Sequence, residues 1–180
     1  IHAAGRAGAD GIMIGEDMGT QQGLLFSVDM FREYFKPLYT RLMSIAHDYG
    51  MKILMHSCGS NWEILDDLMD CGVNCFQFDQ PALYDMPALA AKLRERKAAL
   101  WSPTDIQKIL PTGDKEYIQK ETRRMCDLFD GFLIAKNYPD LPGIGVAEEW
   151  DNWAYATFLE YAGAVNRLSS ISGRRSILAG

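Results

Sequence analysis

The sequence predicts an α/β fold, the C-terminal five βα units of a TIM (β/α)8 barrel. Three observations lead there. Short apolar runs recur five times, a helical pattern follows each of them, and the connections between them are short. A parallel sheet results, and either a doubly wound sheet or a barrel would satisfy the pattern. Neither GxGxxG nor GxxxxGK[ST] follows any strand, which weakens a nucleotide-binding reading.

The elements follow in order. Residues 1–10 read as the end of a helix entering a strand, as if the sequence began inside a longer protein. The strands are expected near 11–16, 52–57, 74–79, 98–102 and 131–136. Ser27 precedes a long helix over 28–48, in which Phe31, Phe35, Leu38, Leu42 and Ile45 recur at helical spacing. Pro37 should kink or split it, and Gly50 ends it. Asn61 is expected to cap a helix over 62–70. Further helices are expected over 86–96, 114–129 and 148–162, with Trp150, Trp153, Tyr155 and Phe158 on the core face of the last. The barrel part covers 1–163, and 164–180, with Arg167, Arg174 and Arg175, reads as a loosely ordered tail. Five units cannot close a barrel, so residues 1–180 alone are expected to aggregate or stay molten.

Composition narrows the function. Of 180 residues, 48% are apolar and 23% charged, the balance of a globular domain. The net charge of −6 argues against nucleic acid or an anionic membrane as partner. No apolar run is long enough to cross a bilayer. The four Cys form no CxxC pair, so a reducing, cytoplasmic compartment is the simpler reading.

In a parallel α/β architecture, chemistry gathers at the C-terminal strand ends. The polar groups fall there: Glu16 and Asp17, His56 and Cys58, Gln77 and Asp79, Ser102 and Asp105, then Lys136, Asn137 and Tyr138. His56-Ser57-Cys58 is the sharpest feature. Residues i and i+2 of a strand share a side, so imidazole and thiol project together, and both are zinc-type ligands. A buried His beside a small apolar Cys is the competing reading. Glu16 ends the preceding strand at the right height for an oxygen ligand. Cys75 lies too deep and reads as barrel packing; Cys71 and Cys126 belong to helices.

Ala9-Asp10-Gly11, Glu16-Asp17-Met18-Gly19, Phe26-Ser27-Val28-Asp29-Met30-Phe31 and His56-Ser57-Cys58-Gly59-Ser60 together resemble the uroporphyrinogen decarboxylase superfamily. The HxCG stretch is closest to its cobalamin-dependent methyltransferase branch. The resemblance implies a TIM barrel about twice this length. It implies zinc held by the HxC motif and a distant Cys, and methyl transfer with a methylcobalamin or other corrinoid carried by a partner protein. Tyr138 stands about where that Cys would be; His56 and Cys58 match the motif, and with Glu16 from its place at the strand end the candidate metal set is His56, Cys58 and Glu16. Asp17 and Tyr138 are the catalytic candidates. Gln77, Asp79, Lys136 and Asn137 are the expected substrate-binding residues. The expected partners are a small-molecule substrate, a corrinoid-binding protein and a second copy in a homodimer. The alternatives are a uroporphyrinogen decarboxylase-like decarboxylase and a non-catalytic barrel that binds a small ligand.

Overall fold

Apolar runs bounded by Gly, Asp and Asn become five strands: β1 (Gly11–Gly15), β2 (Lys52–His56), β3 (Cys75–Gln77), β4 (Ala99–Ser102) and β5 (Leu133–Ala135). In the computed structural model, the backbone of residues 1–172 and the side chains of residues 1–163 are described. The strands form one sheet in the order β1-β2-β3-β4-β5, and every neighbouring pair is parallel. A doubly wound sheet reverses direction at its switch point, and this sheet never does. Right-handed crossovers that all step the same way put the helices on one face. The result is an arc of barrel wall.

The helices are α1 (His2–Arg6), α2 (Val28–Met30), α3 (Lys36–Asp48), α4 (Leu65–Cys71), α5 (Met86–Arg96), α6 (Lys115–Leu128) and α7 (Glu148–Ser172). Side-chain caps start three of them. Ser27, Asp85 and Asp114 accept from the backbone N–H of Met30, Ala88 and Tyr117. None of the helices among the described residues is long and apolar enough to cross a membrane. The last helix runs past its expected end at 162. The side chains of the expected tail at 164–180, its three Arg included, lie outside the described residues.

Three expectations about the helices are corrected. A π-helical turn, Phe31–Phe35, joins α2 to α3, and the Lys36 N–H reaches back to the Phe31 carbonyl. Pro37 has no N–H to give to Glu33, and the wide turn takes up the mismatch. The turn shifts the helical phase. Phe31 and Met43 are fully buried, whereas Phe35, Leu38 and Leu42 face outward. Asn61 does not cap: residues Trp62–Ile64 form a 3-10 turn before α4, with no side-chain cap bond. On α7, Phe158 is buried and Trp150 and Trp153 pack on a second apolar cluster of Ile106, Leu110, Ile118, Val146 and Ala154; Tyr155 is exposed.

Strand alternation sorts the side chains. Ile53, Met55, Phe76 and Leu100 are buried in the main core. On the opposite, inward face the register sets Gly15, His56, Gln77, Trp101 and Ile134 in one row at the strand ends. Met13, Leu54, Cys75 and Ala99 form the row beneath.

The loops after β1 and β2 run side by side in contact. A Cβ on Gly59 would lie 2.3 Å from the Gly19 carbonyl, and one on Gly19 would lie 2.7 Å from the Ser60 oxygen. Gly59 also has φ +77°, a conformation that side chains resist. Hydrogen bonds lace the two loops: Ser60 N–H to Thr20 O at 2.8 Å and Met18 N–H to Ser57 Oγ at 3.1 Å. Asn61, fully buried, donates to the Gly59 carbonyl and accepts from Ser57 Oγ. Tyr84 enters from the loop after β3, donates to Gly59 O at 2.9 Å and accepts from the Asn61 N–H. Three successive loops are thus tied at one place.

Two outcomes follow, both read by denaturant unfolding of the full-length protein. Gly59→Ala should cost about 3 kcal/mol or more, since a left-handed penalty of about 1–2 kcal/mol adds to a clash with backbone. Asn61→Ala should cost about 2–3 kcal/mol, because it strips partners from buried Ser57 and Gly59.

Candidate metal centre

The end of β2 delivers His56 inward, and the next inward position beyond it is Cys58. Ser57, between them, points the other way and bonds Met18 and Asn61. The same alternation governs the end of β1. Gly15 stands beside His56 in the inward row, so the inward carboxylate is two residues on, at Asp17. Asp17 Oδ1 accepts from the Cys58 N–H at 3.0 Å and lies 3.4 Å from His56 Nε2. Cys58 Sγ is 3.5 Å from the same nitrogen. Asp17, His56 and Cys58 each offer one ligand atom, and all three atoms lie within 4.8 Å of one another, the one such group among the described residues.

Glu16, expected as the third ligand, is not in this group. Its N–H bonds the His56 carbonyl, and its side chain falls on the helix-facing side, where its charge raises the phenol pKa of Tyr39 on α3 after the larger effect of burial. Asp17 takes the ligand position instead.

Burial pushes the Cys58 thiol up to about 11, with further increments from Asp17 and Asp79 and a smaller opposing one from Lys136. The thiol therefore keeps its proton near neutrality until a cation displaces it. Imidazole, thiol and carboxylate form a mixed nitrogen, sulfur and oxygen set of the kind zinc accepts, and three protein donors leave a position open. The residues present fit such an ion.

The expected substrate-binding residues are engaged with the protein. Gln77 and Asp79 are buried in the wall. Gln77 Oε1 is hydrogen-bonded to His56 Nδ1, and Gln77 Nε2 donates to Asp79 Oδ1 at 2.7 Å. Lys136 Nζ donates to the same Asp79 oxygen at 2.9 Å, and lies over the rings of Trp101 and Tyr138. Asn137 donates to Asp151, whose buried carboxyl is held above its ordinary range by desolvation. Tyr138 packs against the second apolar cluster, and its phenol is pushed up by burial and then by the charges of Asp79 and Cys58. It stands at the rim of the site. Ser102 and Asp105, the remaining strand-end pair, brace loops: Ser102 bonds the Phe78 carbonyl, and Asp105 accepts from the N–H groups of Ala82, Gln107 and Lys108.

Sequence reading missed Asn61, Tyr84 and Trp101 as parts of the site. Trp101 carried a signal, since it falls beside Gln77 once the strands are aligned by their ends. Asn61 and Tyr84 carried none, because their partners come from the folded loops.

Comparisons with known proteins agree with this architecture. A methyltransferase from Methanosarcina mazei, of known structure, superposes with a TM-score of 0.64 at 20% identity, over 87% of this chain and 44% of that one. The methylated-thiol–coenzyme M methyltransferase of Methanosarcina mazei is 25% identical over 100 residues, which is 55% of this chain and 25% of the relative. The chain thus spans less than half the length of either protein. The family model for uroporphyrinogen decarboxylase (URO-D) matches residues 1–161, nearly the whole sequence whose side chains are described. The row of inward strand-end residues, the five parallel βα units and this match have one common meaning: the chain belongs to the uroporphyrinogen decarboxylase (URO-D) family.

Proposed function

We propose that this chain is part of a methyltransferase with a zinc centre at the barrel mouth, held by Asp17, His56 and Cys58. The observation that carries the reading is the convergence of these three donors within 4.8 Å at the strand ends. The methylated-thiol–coenzyme M methyltransferase among its relatives supports methyl transfer from a small methylated compound. A corrinoid on a partner protein would be the methyl carrier, and the mouth of the barrel is the place for its approach.

Zinc bound here would supply Lewis acidity to the heteroatom at the methyl carbon. The protein's own residues do the rest. Asp17, more than half exposed, reaches the open side of the cluster, where a substrate would enter. The Asp17 carboxylate holds the Cys58 backbone in place through its N–H. Cys58 releases its proton when the ion is taken up. Trp101, Lys136 and Tyr138 form one wall of the mouth, with the ammonium shared between Asp79 and the two ring faces. Tyr138 puts a bulky phenol, in place of a further thiolate, beside the centre.

Elemental analysis of full-length protein, grown with zinc and purified without chelators, should find about one zinc per chain. His56→Ala, Cys58→Ala and Asp17→Ala should each remove most of it. Glu16→Gln and Cys126→Ala should leave it unchanged. Zinc near zero in the unmutated protein would end the reading.

The raised thiol adds a second outcome. Zinc competes with the Cys58 proton, so affinity falls as pH falls. From neutral to mildly alkaline buffer, apparent affinity should rise about tenfold per pH unit for each proton displaced. Calorimetric titrations in buffers of different ionisation enthalpy count those protons; at least one per zinc is expected.

A further inference from the structure

The inward row at the strand ends contains a chain of hydrogen bonds whose direction is set at one end. The Lys136 ammonium can only donate, and it donates to Asp79 Oδ1. A carboxylate paired in this way accepts only. The same oxygen takes its second hydrogen bond from Gln77, at 2.7 Å. Gln77 must therefore turn its NH2 group to Asp79 and its amide oxygen to His56. The reverse orientation would press two oxygens together in a buried site, at a separation of 2.7 Å that is too short to admit a water between them. An amide oxygen has no hydrogen to give, so the bond at His56 Nδ1 requires a proton on that nitrogen. A neutral ring protonated at Nδ1 is bare at Nε2. Nε2 is the nitrogen that faces Asp17 and Cys58.

We propose that Lys136, Asp79 and Gln77 are positioning residues that hold His56 in its Nδ1-protonated tautomer and so present Nε2 as the ligand atom at the barrel mouth. The proposal rests on the zinc reading for its purpose, though its geometry stands without the ion. It gives new work to three residues whose expected role was to touch substrate. Hydrogen bonds of this kind behind a ligating imidazole fix its ring and raise its basicity.

The test is the long-range proton–nitrogen NMR spectrum of full-length protein with nitrogen-15-labelled histidine, stripped of metal and kept in mildly alkaline buffer. His56 is assigned by loss of its signals in His56→Gln. The expected spectrum has a protonated Nδ1 and a bare Nε2. A bare Nδ1, or a ring protonated at both nitrogens, overturns the proposal. Gln77→Leu removes the acceptor and should convert the ring to the Nε2-protonated form or to a mixture of the two. Lys136→Met should do the same more weakly, because Asp79 alone holds the amide less firmly. An unchanged tautomer in both variants also overturns it. In a parallel zinc titration, Gln77→Leu should lower affinity about 10–100-fold. The two readings fail separately. A protein that takes up no zinc but shows the protonated Nδ1 ends the zinc centre and leaves the relay standing; zinc uptake with a bare Nδ1 does the opposite.

Discussion

The contact between the backbones at Gly19 and Gly59 is the constraint on which the site depends. Two loops can lie this close only where both lack a Cβ. Their approach brings Asp17 to the Cys58 N–H, Met18 to Ser57 and Thr20 to Ser60. Without it, Asp17 would be an exposed carboxylate on a free loop, with no fixed relation to His56. The donor cluster is therefore a property of two loops packed as one body. Asn61 and Tyr84 extend that body to a third loop, and the stacking of Tyr84 on Phe78 roots it in the core.

Charge is distributed around the centre with a purpose that burial makes visible. Asp17 is open to water, whereas Asp79 is enclosed and needs the Lys136 ammonium beside it. The same lysine partly offsets the carboxylates around Cys58, yet their combined effect with burial still favours the thiol over the thiolate. The sulfur is therefore a neutral thiol, and it would become an anionic ligand only when a bound cation displaces its proton.

Much of the fold was legible in the sequence because strand and helix periods differ so plainly. The five apolar runs fall on the five observed strands, and Ser27 caps its helix as its position implies. His56 and Cys58 were legible for the same reason, being two residues apart on a strand. Height along the strand points to Glu16 as the oxygen ligand; the face decides, and Asp17 is on the face that His56 shares. Gln77 and Asp79 were placed at the right end of the right strand. Their role was hidden, since it depends on which neighbour each amide and carboxylate oxygen meets. Asn61 looked like a cap because short polar side chains before a helix usually are. Its buried partners exist only after the loops meet.

The π-helical turn between α2 and α3 has a consequence for chain length. At about 100° per residue, Phe31 and Met43, twelve positions apart, would stand about 120° apart around a regular helix. The wide turn absorbs one residue and reduces the difference to about 20°, so both side chains reach the same core. This helix can therefore lose one residue between Phe31 and Phe35 and keep both anchors in place, provided Pro37 is replaced by a residue with an N–H. The same deletion between Pro37 and Met43 would leave the turn intact and swing one anchor by about 100° around the helix. Length variation among relatives would thus be tolerated at this turn and resisted along the rest of the helix.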